Sequence, residues 1–298
     1  MKIMSFFSYK GGAGRSTLAL NVIPFLANAL GADQDHPLIV VDMDIDSCGL
    51  TFLYNLHHNL DENFNVQAMF GEHGHIPVSN QSATNHNLFR NLMPIGGVYN
   101  KGDRDILCLP AYPGNSLNGS SNYDSPMELC QKFVEECEKV GCCGIVFDSA
   151  VGDQLTARWS NDLADCIICC MRPTKQFRDG TNRYFDETFD ETMFGKNVIV
   201  VPNVVPTDAL TLPADGELRQ YPDYAKEEIL RSFQDNIDAG NNTYIMDMVD
   251  GEIFGVPKID RFMWQEGILD NLAKDELTDC EKLALRQYEK IAKLVADL

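Results

Sequence analysis

The stretch that most narrows the fold of this chain is Tyr9-Lys10-Gly11-Gly12-Ala13-Gly14-Arg15-Ser16-Thr17, a glycine-rich loop between the apolar run Ile3–Phe7 and the amphipathic segment Thr17–Leu30. Glycines let successive backbone N–H groups turn inward on an anion, and a following helix adds the positive end of its dipole. A strand, a cradle and a helix in that order predict a phosphate-binding turn. One conflict lies inside the helix pattern. Pro24 removes an amide donor and clashes with the preceding turn at a cost of about 3 kcal/mol, which predicts a kink over Leu20–Pro24 or a shorter helix.

Short β-rich apolar runs then alternate with helical patterns. The strands are Ile3–Phe7, Leu38–Val41, Ile106–Leu109, Ile145–Phe147, Cys166–Met171 and Val198–Val201. Runs apolar on both faces suit a parallel sheet covered by helices on either side. Pro126–Val140, Thr156–Asp165, Lys175–Phe189 and Tyr224–Ile237 read as helices, and Asp279–Leu298 places Leu283, Tyr288, Ile291, Leu294, Val295 and Leu298 on roughly one face. The fold class expected is α/β, a doubly wound and mostly parallel sheet. A length of 298 residues with 44% hydrophobic residues supplies a full core, read as one domain over 1–298. Asn55–Lys101 and Pro206–Gly251 interrupt the alternation and read as insertions at the ligand-bearing edge, where partner contacts vary.

Charge bears on the partners. Acidic residues number 44 against 24 basic ones, for a net charge of −20, and no Lys/Arg cluster is evident. Nonspecific DNA binding needs cations that neutralise phosphates, so that role is disfavoured. No charged-then-apolar leader precedes Lys2 and no apolar run is long enough to cross a bilayer, which predicts a soluble, cytoplasmic chain without membrane insertion. Ten cysteines point to reduced thiols. Cys166 and Cys169 stand three apart on a strand and so face opposite ways, which with Cys142, Cys143 and Cys170 favours core packing over a metal site. The histidines His57, His58, His73, His75 and His86 fall in the first insertion without an identifiable acid–base partner.

The generic P-loop pattern G-x-x-x-x-G-K-[ST] fails here at two places, with Tyr9 for its first glycine and Arg15 for its lysine. Lys10 ahead of the paired glycines resembles the deviant loop of the ParA/MinD-like ATPases, K-G-G-x-G-K-[ST]-[ST]. Ser8 to Ser16 is similar to a variant subset reading S-Y-K-G-G-x-G-R-[ST]. The resemblance spans Met1 to about Val201 and, more loosely, the remainder. It implies a P-loop fold binding ATP and Mg²⁺, with Gly11, Gly12, Ala13, Gly14, Arg15, Ser16 and Thr17 around the phosphates. Lys10 would reach the phosphates of a nucleotide in the facing subunit, so that a homodimer forms in the ATP state.

Two acidic elements follow, each at a strand end, where ligands of parallel sheets bind. Asp42-Met43-Asp44, with Gly49 and Thr51 beyond, looks like the family's second acidic motif; the match implies that Asp44 positions the attacking water and that Asp42 supports the loop hydroxyl and the Mg²⁺ shell. Gly144-Ile145-Val146-Phe147-Asp148, with Gly152 four residues on, resembles a Walker B strand and its switch glycine. Asp148 would hold a water of the Mg²⁺ shell while Ser16 coordinates the ion directly. On the base side Pro202-Asn203 and Gly255-Val256-Pro257 look like adenine loops, with Asn203 bonding the base and Pro257 an apolar wall, although Asn-Val-Val-Pro is also an ordinary turn. Asn100-Lys101-Gly102-Asp103 satisfies the guanine-reading pattern N-K-x-D, but it precedes Asp148 and leads into a strand, so it reads as a turn and ATP is preferred. Arg172, leaving its strand at the same edge, is a candidate phosphate contact.

Arg15 offers a planar, permanently charged fork where a lysine would be a point charge. Binding survives such a change more readily than phosphoryl transfer does, because transfer depends on charge placed over the moving group. Two functions remain: a slow ATPase switch that positions or recruits a protein partner, and a nonhydrolysing nucleotide-dependent scaffold. A tyrosine autokinase lacks its tail of clustered tyrosines, and a membrane clamp at the final helix is opposed by Glu281, Glu289 and Asp297.

Overall fold

The computed structural model describes residues 1–71, 74–76, 87–99, 105–114, 124–188, 195–211, 218–235, 243–245 and 255–298. The apolar runs form β1 (Lys2–Ser8), β2 (Leu38–Asp42), β3 (Met93–Pro94), β4 (Ile106–Leu109), β5 (Gly144–Val151), β6 (Cys166–Met171), β7 (Asn197–Pro202), a hairpin of β8 (Leu210–Thr211) with β9 (Arg219–Gln220), and β10 (Thr243–Ile245). Helices are α1 (Arg15–Ala29), α2 (Gly49–Leu53), α3 (Val66–Phe70), α4 (Asn87–Asn91), α5 (Asp124–Lys139), α6 (Leu155–Leu163), α7 (Lys175–Thr188), α8 (Tyr221–Ser232) and α9 (Asp279–Asp297).

Eight strands share one sheet in the order β10-β7-β6-β1-β5-β2-β4-β3. All pairings are parallel except that of β3 with β4. β1 lies centrally, with β5 on one side and β6 on the other, so the loop after it opens at the point where the strand order reverses. Strand periodicity sends neighbouring residues to opposite faces. Met4 and Phe6 join α1 and α9 in one apolar layer, whereas Phe7, Ile167 and Cys169 face α7 and α8 in another. Ile39 and Val41 pack toward α5. Helices thus cover both faces, as the doubly wound reading expects.

Pro24 does not end the first helix, which runs continuously from Arg15 to Ala29. Residues Leu18 through Pro24 are all buried, and α1 packs against α9. Burial at roughly 25 cal/mol per Å² of apolar surface over such an area outweighs one lost backbone bond. The last helix begins with a reciprocal cap between Thr278 and Glu281 and buries Leu283, Tyr288, Ile291 and Val295. Its apolar face is therefore taken up by the core. Among the described residues no helix is long and apolar enough to cross a membrane.

All ten cysteines are free thiols. Cys166 packs in the α1 layer and Cys169 in the opposite one, as their spacing on a strand requires. The Asn100–Asp103 turn, the pair Ile253-Phe254, His73 and His86 lie outside the described residues.

Candidate functional site

The glycine loop owes its shape to two left-handed residues. Gly12 and Gly14 both have φ near +81°, a region that side-chain-bearing residues rarely adopt. Gly14 is also crowded, since a Cβ there would lie 2.8 Å from Asn203 Nδ2. It caps α1, leaving that helix start facing a cavity of about 620 Å³ lined by Ser8, Gly11 to Thr17, Asp44, Asp46, Ser47, Gly49, Phe52, Gln154 and Glu266. The strand-end acids meet the loop here because β2 and β5 are in register, with Asp42 opposite Asp148.

Arg15, on the wall of this cavity, is buried against the strand-end acids. Its Nε donates to Asp148 Oδ1 at 2.7 Å and its Nη2 to Asp44 Oδ2 at 2.6 Å, with Ser16 Oγ 3.3 Å from the same nitrogen. The guanidinium is only 5% exposed. Burial pulls it toward the neutral form, but Asp148 and Asp44 pull harder the other way and hold it above its ordinary pKa. Burial raises the Asp148 carboxyl in spite of Arg15 and Ser16, and it raises Asp42 with help from Asp148. Three acids crowd one dry corner, and the arginine supplies the compensating charge.

Each acid has a distinct set of partners. Asp42 Oδ2 accepts from the Thr51 amide and hydroxyl, both at 2.8 Å, and that hydroxyl accepts from the Ala111 amide at 2.9 Å. Asp44 Oδ2 also accepts from Ser47 Oγ at 2.6 Å. Gly49 lets α2 approach the loop, since a Cβ there would meet Ser16 Oγ at 2.7 Å. Gly152, at φ +62°, donates its amide to Ser8 O at 3.0 Å, tying the end of β5 to the loop. Lys10 does not line the cavity of its own loop and makes no ion pair among the described residues.

The residues assigned to Mg²⁺, Ser16, Asp42 and Asp148, converge in this corner. Asp42 Oδ1 and Asp148 Oδ2 are buried without a hydrogen-bond partner among the described residues. Hard oxygen donors left open beside a hydroxyl fit a divalent cation. Arg15 Nη1 is buried without a partner as well.

A second cavity of about 240 Å³ adjoins the first and is lined by Gly12, Gly14, Thr17, Arg172, Asn203, Val204, Pro257, Phe262, Glu266 and Tyr288, among others. It forms because Pro202–Val205 pairs with Gly255–Lys258 through bonds from Val256 N to Pro202 O, Val205 N to Val256 O and Lys258 N to Val205 O. Asn203 is anchored beneath the cradle: Nδ2 donates to Ala13 O at 2.9 Å and Gly14 O at 3.3 Å. Two carbonyl partners fix which atom is the nitrogen, so Oδ1 is the atom left over.

Sequence reasoning missed Thr51 as the hydroxyl that orients Asp42, and it missed Asn21 and Glu266. Asn21 is a buried amide within the otherwise apolar stretch Leu18–Ala27 of the first helix, a signal that could have been followed. Its Nδ2 donates to Gly267 O at 3.1 Å and its Oδ1 accepts from Leu269 N at 2.9 Å.

No protein-family model matches the chain, and no curated protein matches it in sequence. Solved structures do match it in fold. The Aquifex aeolicus MinC:MinD cell division complex gives a TM-score of 0.62 at 16% identity, covering 98% of this chain and 95% of that one. Cyanothece McdA in complex with ATP gives 0.58 at 13% identity over 100% and 97%. The septum site-determining protein MinD of Pyrococcus horikoshii with Mg-ADP gives 0.59 at 15% identity over 98% and 96%. With the parallel sheet, the glycine cradle and the strand-end acids in place, the chain has the fold of the MinD/ParA-type P-loop NTPases.

Proposed function

We propose that this chain binds ATP with Mg²⁺, dimerises in that state and hydrolyses the nucleotide slowly, as a switch that recruits or positions a protein partner. One juxtaposition carries the reading. A glycine cradle, three strand-end acids and a base-side cavity share the sheet edge where the strand order reverses. The ATP and Mg-ADP complexes among structures of the same fold support the choice of ligands.

Backbone amides of Gly11 to Gly14 and the start of α1 would hold the phosphates, with Thr17 beside them. Ser16 and Asp148 would hold Mg²⁺, with Asp42 behind; bound there, the ion neutralises charge on the phosphates. Asp44 would orient water, once Arg15 leaves it and turns its fork toward the phosphates. Asn203 Oδ1 is an acceptor, which suits the adenine amino group and rejects the guanine carbonyl. Arg172 and Pro257 would border the nucleotide. Lys10, which does not line its own cavity, would reach a partner's phosphates, and two such contacts related by a two-fold axis would be self-complementary.

The scaffold reading keeps one specific support, the occupation of Asp44 by Arg15 and Ser47. Phosphate release with Mg-ATP separates the two: turnover above background favours the switch, and none favours the scaffold. Light scattering tests the dimer. Monomer without nucleotide and dimer with a nonhydrolysable ATP analogue are expected, with Lys10→Ala losing the shift but keeping nucleotide binding. The same assembly state throughout would remove Lys10 from the switch.

A further inference from the structure

Tyr9 stands where the generic phosphate loop carries its first glycine, and its ring is seated against α7. Gly180 of that helix faces it: a Cβ there would lie 2.6 Å from Tyr9 Cε1 and 2.7 Å from Cδ1. The φ of Gly180 falls outside the left-handed region, so the helix itself does not require a glycine, and alanine would be the better helix former. What the glycine supplies is room for the ring. Tyr184, four residues on and so on the same face of α7, completes the seat. Its ring centroid is 5.9 Å from that of Tyr9, and it stacks in turn on Phe7 at 4.8 Å. The main chain is held as well, because Gly152 donates its amide to Ser8 O at 3.0 Å and a Cβ on Gly152 would come within 3.3 Å of Tyr9 O.

The next residue is Lys10, the cation that the proposed dimer would send to its partner's phosphates. Its ammonium sits at the end of a flexible four-carbon stem, and immobilising such a side chain at an interface costs free energy. Neither Tyr9 nor Lys10 lines the cavity of its own loop, so the ring is not a wall for the phosphates of its own cradle. An anchored ring restricts the backbone from which the lysine stem leaves, and with it the directions open to the ammonium. We infer that Tyr9 is a positioning residue: seated in the Gly180 slot, it fixes the base of Lys10 for contact with the facing subunit. The inference rests on the proposed role of Lys10 in the dimer and adds to it the residues that set the direction of that lysine.

The test is light scattering of the full chain over a range of concentrations, with Mg²⁺ and a nonhydrolysable ATP analogue, for the wild type, Tyr9→Ala, Tyr9→Phe, Gly180→Ala and Lys10→Ala. Binding of a fluorescent ATP analogue, at protein concentrations below the dimer range, gives the monomer's own affinity for each. Two lysines are ordered per dimer, so Tyr9→Ala should weaken association about tenfold while the monomer's nucleotide affinity stays the same. Tyr9→Phe keeps the ring and should associate as the wild type does. Gly180→Ala leaves Tyr9 in the chain but crowds its ring, and should weaken association in the same direction; if Tyr9→Ala does not fold, this variant carries the test. Wild-type association in Tyr9→Ala or Gly180→Ala would overturn the inference, as would a Tyr9→Phe variant as weak as Tyr9→Ala. An equal fall in the monomer's nucleotide affinity would overturn it too, by assigning the ring to the cradle. A wild type that does not dimerise, or a Lys10→Ala variant that dimerises as tightly, would overturn the reading of Lys10 and this inference together.

Discussion

The acid-bearing corner and the base-side cavity stand side by side on one sheet edge, yet they are built in opposite ways. In the corner, charge is dense and buried, with Arg15 bonded to Asp44 and Asp148 and Thr51 to Asp42. On the base side Val204, Pro257, Phe262 and Tyr288 give apolar walls, and the polar groups among them, Thr17, Arg172, Asn203, Lys258 and Glu266, stand at the rim of an open cavity and not in a buried cluster of acids. A ligand entering the corner must exchange existing ion pairs, whereas one entering the base cavity meets a surface already shaped for it. Substitutions in the corner should therefore change stability and turnover, and substitutions on the base side should change selectivity with little cost to the fold.

The largest effect is expected from Arg15→Ala, which leaves buried carboxylates without their cation. Breaking one side of a buried pair costs about 3–5 kcal/mol, so thermal unfolding should move down by many degrees. Millimolar Mg²⁺ should recover part of the loss, because an ion that binds only the folded chain stabilises it. A variant as stable as the wild type would mean that the corner is not held by Arg15. Next comes Asp44→Ala, expected to lower turnover about 10²-fold, as for other positioned polar groups, while ATP affinity changes little. A parallel fall in affinity would assign Asp44 to binding instead.

Gly14→Ala probes the join between the regions. A Cβ would press on Asn203 Nδ2 at a φ near +81°, and strain of this kind costs about 1–3 kcal/mol. Calorimetry should show weakened binding of both phosphates and base, and unchanged affinity would show that the loop relaxes. The remaining effect is a slope. The Asp42 carboxyl, raised to about 7 by burial and then by Asp148, keeps in the folded chain a proton that the unfolded chain releases near its usual 3.8. The folded state thus binds more protons between those values, and this group's stabilising contribution falls as pH rises through the window. Denaturant midpoints across it should decline less steeply in Asp42→Asn, and an identical slope would place the titration elsewhere.

Much of the scaffold was legible because its signals are local. Apolar runs at Leu38–Asp42 or Cys166–Met171 carry their burial on both faces, and the acid closing each site strand is adjacent in sequence to its run. Edge strands such as Met93–Pro94 and Thr243–Ile245 were not legible, since so short a strand is defined by its neighbour and not by its own pattern. That the loop and the strand-end acids would gather at one sheet edge was legible, Lys10 apart, but the direction of each side chain was not. Nothing local to Arg15 says whether its fork faces a ligand or carboxylates 29 and 133 positions away. Likewise the amide of Asn203 is spent on Ala13, 190 positions earlier, a commitment that only the folded sheet creates.

The most direct measurement is calorimetric titration of the wild-type chain with ATP and GTP, each with and without Mg²⁺. The account predicts saturable ATP binding that strengthens with Mg²⁺ and exceeds that of GTP. Equal affinity for GTP would contradict the assignment of Asn203, and the absence of binding to either nucleotide would contradict the account as a whole.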